Sequence, residues 1–315
     1  LAQILGDAAV WAVDPTRLPK ARKNAAELAG MRAAHLRDGA AMVEFLAWAD
    51  QAMRDPALSE IDITRALEGF RTATGALHDI SFETICGAGP NGAIIHYRVR
   101  QETNRAIGTQ GLLLVDSGAQ YRDGTTDITR TLPIGTPTAL QRACYTNVLE
   151  GVIAISRARW PAGLAGRDLD ALARAALWMA GQDYDHGTGH GVGAFLSVHE
   201  GPQRISRVSD VPLEVGMILS NEPGYYRAGE FGIRLENLVV VGQAPALPDG
   251  DAWRKQLCFE TLTLAPFDRR LIDADALSRG ARDWLNSYHA RVLADLSAQL
   301  SAPALAWCKA ACAPL

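Results

Sequence analysis

The sequence predicts an α+β fold in which helices cover one face of an antiparallel sheet. Two observations carry that expectation. Helical spacing gives way to hairpin spacing twice along the chain, first at 111–135 and again at 217–241. The chain is also long enough, at 315 residues with 48% apolar side chains, to bury one large core or two ordinary ones. The two halves share organisation, not visible sequence identity.

The elements follow in order. The opening segment ends in AVWAVDP, which reads as the end of a strand. The chain also starts with Leu, so residues 1–16 are expected to be the tail of a domain belonging to something longer. From Pro19 to Arg54 the positions Leu28, Met31, Leu36, Met42, Phe45, Leu46 and Met53 mostly recur at three- and four-residue steps, which predicts a helix. Gly30 and Gly39 weaken its middle. Ser59 followed by Asp62 caps a second helix running to about Thr74. Phe82 to Tyr97 reads as a loop, GAGPNG, entering a short strand, AIIHY.

Gly111 to Gly135 reads as a hairpin, with Asp123-Gly124 as the turn. Thr138 and Gln141 form a capping box for a helix to about Arg159, and another helix starts at Arg167. A glycine-rich loop, HGTGHGVG, leads to a strand around Phe195 to His199. MILSNE and GIRLENLVVV then pair across YYRAGEFG. Beyond Phe259 the pattern becomes strand, turn and two helices. Residues 261–315 therefore read as a small C-terminal helical region after a catalytic domain at 17–260.

A net charge of −4 argues against a general nucleic-acid binder, which needs an excess of Lys and Arg. It argues similarly against a membrane-surface protein. No run of about eighteen apolar residues predicts a membrane span. The five cysteines are scattered and form no disulfide or zinc pattern. Cys308 and Cys312, four apart on one helix, read as buried apolar residues of a protein in a reducing cytoplasm, with a redox or metal pair as the alternative.

Five potential metal ligands occupy three segments. They are Asp116 and Asp127 in VDSGAQYRDGTTDITRT, His190 in DHGTGHGVG, and Glu222 and Glu236 in SNEPGYYRAGEFGIRLENLVVV. If the second hairpin turns around Gly229, Glu222 and Glu236 fall opposite one another. Carboxylates that close repel unless one is protonated or cations lie between them. The alternative is an edge pair splayed into solvent. In the first hairpin a turn at Asp123-Gly124 sets Asp127 against Gln120 and leaves Asp116 about 13 Å away. A bulge or bend near Gly118 is needed to bring the two aspartates together. Four carboxylates and one imidazole suit two divalent ions sharing oxygens, and favour manganese, cobalt or ferrous iron over a thiolate zinc site. A hydroxide bridging the two metals would be the nucleophile.

At these motifs the chain resembles aminopeptidase P, the Xaa-Pro aminopeptidase, in its long three-domain form. The resemblance extends through GPNGAIIHY, the PKARKNAAELAGMRAAHLRDGAAMVEFLAW helix and DYDHGTGHGVGAFLSVHEGP. It implies a pita-bread catalytic domain, a two-metal centre, most readily manganese with zinc or cobalt as substitutes, and removal of the first residue from peptides with proline second. Carried across by motif, Asp116 and Asp127 bind one metal, His190 and Glu222 complete the other, and Asp127 and Glu236 bridge. Glu222 is the implied proton shuttle. His96, His186 and His199 surround the substrate, with Tyr226 and Arg234 beside them. Arg234 as a purely structural ion pair is the competing reading. His35, His78 and His289 fall outside the motifs. The resemblance also implies a homodimer, with Trp284, Tyr288 and Trp307 as its aromatic face. Prolidase is the same-class alternative. A non-catalytic pita-bread binding module is the other, and it predicts lost ligands where all five stand.

Overall fold

The computed structural model describes residues 2–315. It begins with a one-turn helix α1 (Ala2–Leu5), and residues 9–14 form no strand, contrary to the expectation from AVWAVDP. Val10, Trp11 and Val13 are 77–87% exposed, so the alternation there has no sheet to face.

The predicted first helix is two. Helix α2 (Arg17–Ala21) ends before an extended Lys23–Asn24 link, and α3 (Ala25–Ala52) starts afresh. The reason is a capping box missed in the sequence. Asn24 Oδ1 accepts from the Glu27 backbone N–H at 3.0 Å while Glu27 Oε2 accepts from Asn24 N–H at 2.8 Å. Gly30 and Gly39, read as weak points, are close-approach positions. A Cβ at Gly30 would strike the Asp123 carbonyl, and one at Gly39 the Leu264 carbonyl. Helix α4 (Glu60–Thr72) has the expected Ser59–Asp62 box.

Strands β1 (Leu77–Ile80) and β2 (Ile85–Ala88) follow. The predicted strand at AIIHY is absent. Pro90 and its flanking glycines instead form a 3₁₀ turn at Gly89–Ala93, and Tyr97 N–H closes a further turn on the Ile94 carbonyl at 3.0 Å. The first hairpin comprises β3 (Gly111–Ser117), β4 (Ala119–Tyr121), β5 (Gly124–Thr125) and β6 (Ile128–Ile134). Helix α5 (Ala139–Ser156) carries its Thr138–Gln141 box, and β7 (Arg159–Pro161) leads to α6 (Gly166–Met179).

Short strands β8 (Gly189–His190) and β9 (Arg204–Ile205) pair with each other. Between them Phe195 to His199 is a loop, not the predicted strand. Gly193 N–H bonds Ser197 O at 2.9 Å, Glu200 N–H bonds Gly191 O at 2.8 Å, and Phe195 takes φ of 54°. The second hairpin runs through β10 (Ile218–Asn221), β11 (Gly224–Arg227), β12 (Phe231–Arg234) and β13 (Asn237–Gln243), and β14 (Gln256–Thr261) joins its edge. Helices α7 (Arg279–Leu296) and α8 (Ala302–Ala311) end the chain.

Every strand pairing is antiparallel; the two main sheets have the orders β2-β3-β6 and β10-β13-β14-β7. Arg130, buried in β6, binds them together. Its guanidinium donates to the carbonyls of Glu236, Ala265 and Pro266 at 2.6–3.1 Å and to Asn237 Oδ1 at 2.8 Å. The largest apolar cluster joins Val148 and Val152 of α5, Ile233 of β12, Leu285 and Val292 of α7, and Cys308 of α8. The C-terminal helices therefore share a core with the preceding sheet. Tyr288, expected on an aromatic outer face, is 5% exposed and donates inward to backbone carbonyls at 263 and 265.

Candidate metal centre and its cleft

The second hairpin has the register read from the sequence. Asn221 pairs with Asn237 on one side and Gly224 with Arg234 on the other, so Glu222 faces Glu236 at the break between the two ladders. The first hairpin differs by two residues. Its turn lies at Arg122-Asp123, because Tyr121 pairs with Gly124. Ser117 pairs with Ile128 and Asp116 with Thr129, so Asp127 sits opposite Gly118. Asp116 and Asp127 are then two steps apart along the ladder, about 7 Å, not four steps and about 13 Å. The ladder is interrupted at Gly118 with no change of register, so the expected bulge is absent. There Ser81 Oγ and the Thr126 carbonyl fill the space a Cβ would take.

The two hairpins meet at these breaks. Glu236 N–H donates to Thr129 O at 3.1 Å, and Thr129 Oγ1 donates to Glu236 Oε2 at 2.7 Å. Arg234 N–H donates to Thr131 Oγ1 at 3.2 Å. The glycine loop supplies the third side. His190 donates its Nδ1–H to Gly191 O at 3.0 Å, which leaves Nε2 with a free lone pair. That Nε2 lies 3.3 Å from Glu222 Oε1 and 3.4 Å from Asp127 Oδ2. Ser220 Oγ accepts from His190 N–H and donates to Glu222 Oε1, both at 2.9 Å, fixing loop against strand.

Asp127, His190 and Glu236 each offer a ligand atom within 4.8 Å of the others. Glu222 and Asp116 are not members of that group, although Glu222 Oε1 lies 3.3 Å from His190 Nε2. Burial pushes the Asp127 and Glu236 carboxyls well above the usual range, and repulsion from neighbouring carboxylates adds to it. Asp116 Oδ1 and Glu236 Oε1 are buried with no hydrogen-bond partner. Such orphaned acceptors cost stability unless a cation meets them. Oxygen donors with one imidazole nitrogen suit hard or borderline divalent cations, so the residues present fit a metal centre.

The surroundings form a second network. Arg234, 2% exposed, donates from Nη2 to Asp116 Oδ2 at 2.6 Å and from Nη1 to Tyr226 Oη at 2.7 Å. His186 donates Nδ1–H to Gly187 O and accepts at Nε2 from Tyr226 Oη, both at 2.8 Å. Both ring nitrogens of His186 are therefore occupied. Burial lowers its pKa, and that of His199 likewise, so both imidazoles are neutral at pH 7. Burial also pushes the Tyr226 hydroxyl up to about 12, keeping it a donor. His199 packs edge-on against His190, with ring centroids 4.1 Å apart.

These groups line a cleft of about 490 Å³, within the usual range for ligand sites. His96, His186, His190, His199, Asp116, Asp127, Glu222, Arg234 and Glu236 all reach it, while Tyr226 stands behind His186 and Arg234. The three histidines left outside the motifs are elsewhere. His35 and His289 are buried, and His78 packs on Phe195. Sequence reading missed Thr129, Ser220 and Glu200. Glu200 lines the cleft and pairs with the buried Lys23 at 3.1 Å. The signal for it was only its place beside His199.

The profile described as Metallopeptidase family M24 matches residues 29–243, and the C-terminal region of the same peptidase family matches 255–315. The chain belongs to metallopeptidase family M24. Aminopeptidase P2 of Arabidopsis thaliana is 49% identical over 286 residues, covering 90% of this chain and 40% of that protein. Aminopeptidase P1 of Lotus japonicus is 46% identical, covering 88% and 45%. The chain thus spans about half the length of the curated relatives it matches. The X-prolyl aminopeptidase of Caenorhabditis elegans, described as a cytosolic enzyme with a di-nuclear active site, superposes with a TM-score of 0.93 at 37% identity, over 99% of this chain and 52% of that one. The Xaa-Pro dipeptidase of Bacillus anthracis gives 0.67 at 29% identity, covering 80% and 64%. The fold is the pita-bread fold of this family, as the resemblance implied.

Proposed function

We propose that this chain is the catalytic part of a metal-dependent aminopeptidase that removes the first residue from peptides with proline second. The observation that carries the reading is the convergence of Asp127, His190 and Glu236, with Glu222 opposite Glu236, in one cleft. In this reading Asp116 and Asp127 would hold one divalent cation and His190 and Glu222 a second, with Asp127 and Glu236 contributing to both. Two such cations, manganese with zinc or cobalt as substitutes, supply Lewis acidity toward a scissile carbonyl and an acidified attacking water.

The chain's own groups do the rest. Glu222 takes a proton from the attacking water and delivers it to the departing proline nitrogen. His199 and His96, facing the cleft, hold the substrate carbonyl oxygen and its tetrahedral successor. His186, with both nitrogens engaged, presents its ring to the proline pocket and holds the Tyr226 hydroxyl. Arg234 balances part of the carboxylate charge through Asp116 and orients Tyr226.

Residues 1–16 as a preceding domain's tail, 17–260 as the catalytic domain and 261–315 as an accessory region complete the reading. So do a cytoplasmic location and a homodimer, which light scattering at micromolar concentration tests. Among the described residues no helix is long and apolar enough to cross a membrane. The decisive experiment is release of the first residue from Arg-Pro-Pro with added manganese, compared with Glu222→Gln. Cleavage in the parent and none in the variant is expected. Cleavage of Xaa-Pro dipeptides alone would make the protein a prolidase, and no manganese-dependent cleavage would favour a binding module.

A further inference from the structure

We propose that Glu60 is a positioning residue for His96, acting through a buried carboxylate clamp on the 88–105 loop. The inference rests on the reading of His96 as a substrate-facing group. Glu60 is the first residue of α4 and is 0% exposed. Its Oε1 accepts from Ala88 N–H at 2.8 Å and Asn91 Nδ2 at 2.9 Å. Its Oε2 accepts from Tyr97 Oη at 2.9 Å and Arg105 N–H at 3.2 Å. Glu60 N–H donates in return to Arg105 O at 3.1 Å.

Every one of those donors is neutral. A carboxylate buried without a cation depends on its full set of hydrogen bonds, with some help from the start of the thirteen-residue helix that carries it. The bonds are spread along the loop. Ala88 is its entry, Asn91 its 3₁₀ turn, Tyr97 its middle and Arg105 its exit. His96 is chain neighbour to Tyr97 and faces the cleft from between these anchors. On its other flank the loop presses Gly92 on Gly232 of β12, where no side chain fits. Beyond Ala88, the last residue of β2, the loop forms no sheet and is anchored to this one carboxylate at Asn91, Tyr97 and Arg105.

The test is a double-mutant cycle on the manganese-loaded full chain with Arg-Pro-Pro, using Glu60→Gln, His96→Ala and the double variant. The glutamine amide puts an N–H₂ where one oxygen now accepts, so the bond from either the Ala88 or the Arg105 backbone N–H is lost. Glu60→Gln is expected to lower kcat/KM about tenfold in the parent and less than about twofold in the His96→Ala background. In parallel, amide hydrogen exchange at 88–105 is expected to quicken while α5 stays protected. Equal losses in both backgrounds would overturn the inference and leave the wider reading intact. So would exchange that does not change at 88–105. A His96→Ala chain as active as the parent would remove His96 from the proposed machinery and this inference with it. If Glu60→Gln does not fold, Glu60→Asp, which keeps two acceptor oxygens on a shorter stem, goes through the same cycle with the same deciding outcomes.

Discussion

Glu222 stands directly across from Glu236, in the two-pair gap between the β10–β13 and β11–β12 ladders. Two opposed carboxylates beside buried Asp127 make the metal-free site a source of instability. Asp127 and Glu236 titrate well above their ordinary values of 3.8 and 4.5. A carboxyl whose folded pKa is raised binds more protons folded than unfolded, so stability falls as pH climbs from about 4 through the folded value. Buried neutral His35 and His289 act in the opposite sense, since their pKa values are lowered. The carboxylate effect is therefore read as a difference. Between pH 4.5 and 8, the melting temperature of chelator-treated protein should drop relative to manganese-loaded protein, and Glu236→Gln should flatten the chelated curve. Parallel curves would contradict it.

Arg234 links the carboxylates to the imidazoles. It bonds Asp116 Oδ2 at 2.6 Å and the Tyr226 hydroxyl at 2.7 Å, and that hydroxyl reaches His186 at 2.8 Å. Tyr226→Phe deletes the middle of the chain and leaves Arg234 Nη1 and His186 Nε2 unpaired. The expected loss is about 10–100-fold in kcat/KM, together with about 1–3 kcal/mol of stability for the buried groups left without a partner. Arg234→Met instead strands Asp116, and should cost about 3–5 kcal/mol in urea unfolding of the metal-free protein.

Gly118 permits Asp116 and Asp127 to approach. Its neighbours Ser81 Oγ and Thr126 O occupy the place of any Cβ. Gly118→Ala should therefore push the two halves of the hairpin apart. Manganese binding measured by calorimetry should weaken about tenfold or more, by analogy with disturbing the supports of metal ligands. Wild-type affinity in this variant would show that the aspartates do not depend on the break.

How far the sequence disclosed this site depended on what kind of signal each part left. Glu222 and Glu236 were legible because a glycine-centred turn fixes register by counting, and Gly229, with φ of 77°, sits at that turn. Asp116 and Asp127 were misplaced by two residues because Asp-Gly was read as the turn pair, whereas Gly124 is already in β5. The bulge or bend asked for near Gly118 followed from that error, since the register runs unchanged from Ser117–Ile128 to Gln120–Thr125 and itself brings the two aspartates close. The Lys23–Asn24 interruption lies ahead of the first periodic apolar position, Leu28, and a cap is a local hydrogen bond that periodicity does not report. AIIHY and Phe195 to His199 have strand composition, yet Glu60 claims the first segment and backbone bonds within the second close it into a loop. Thr129, Ser220 and Glu60 could not be found from pattern. Each acts on a partner more than 25 residues away or across a ladder, and Ser and Thr are common anywhere.

The C-terminal helices give the last expectation. Leu285 and Val292 of α7 are fully buried, in one cluster with Val148 and Val152 of α5 and Ile233 of β12. Ile233 lies one residue before Arg234, so this cluster backs the strand that carries the guanidinium. Tyr288 extends the same connection. It donates to the Thr263 and Ala265 carbonyls and lies 3.3 Å from Arg130, which in turn holds the Glu236 carbonyl. Leu285→Ala should cost about 2–5 kcal/mol, the range for a large-to-small change in a packed core. Urea unfolding followed by tryptophan fluorescence and by far-UV circular dichroism should give one coincident transition in parent and variant alike. A separate early transition belonging to residues 261–315 would mean that these helices fold apart from the sheet that carries Glu236.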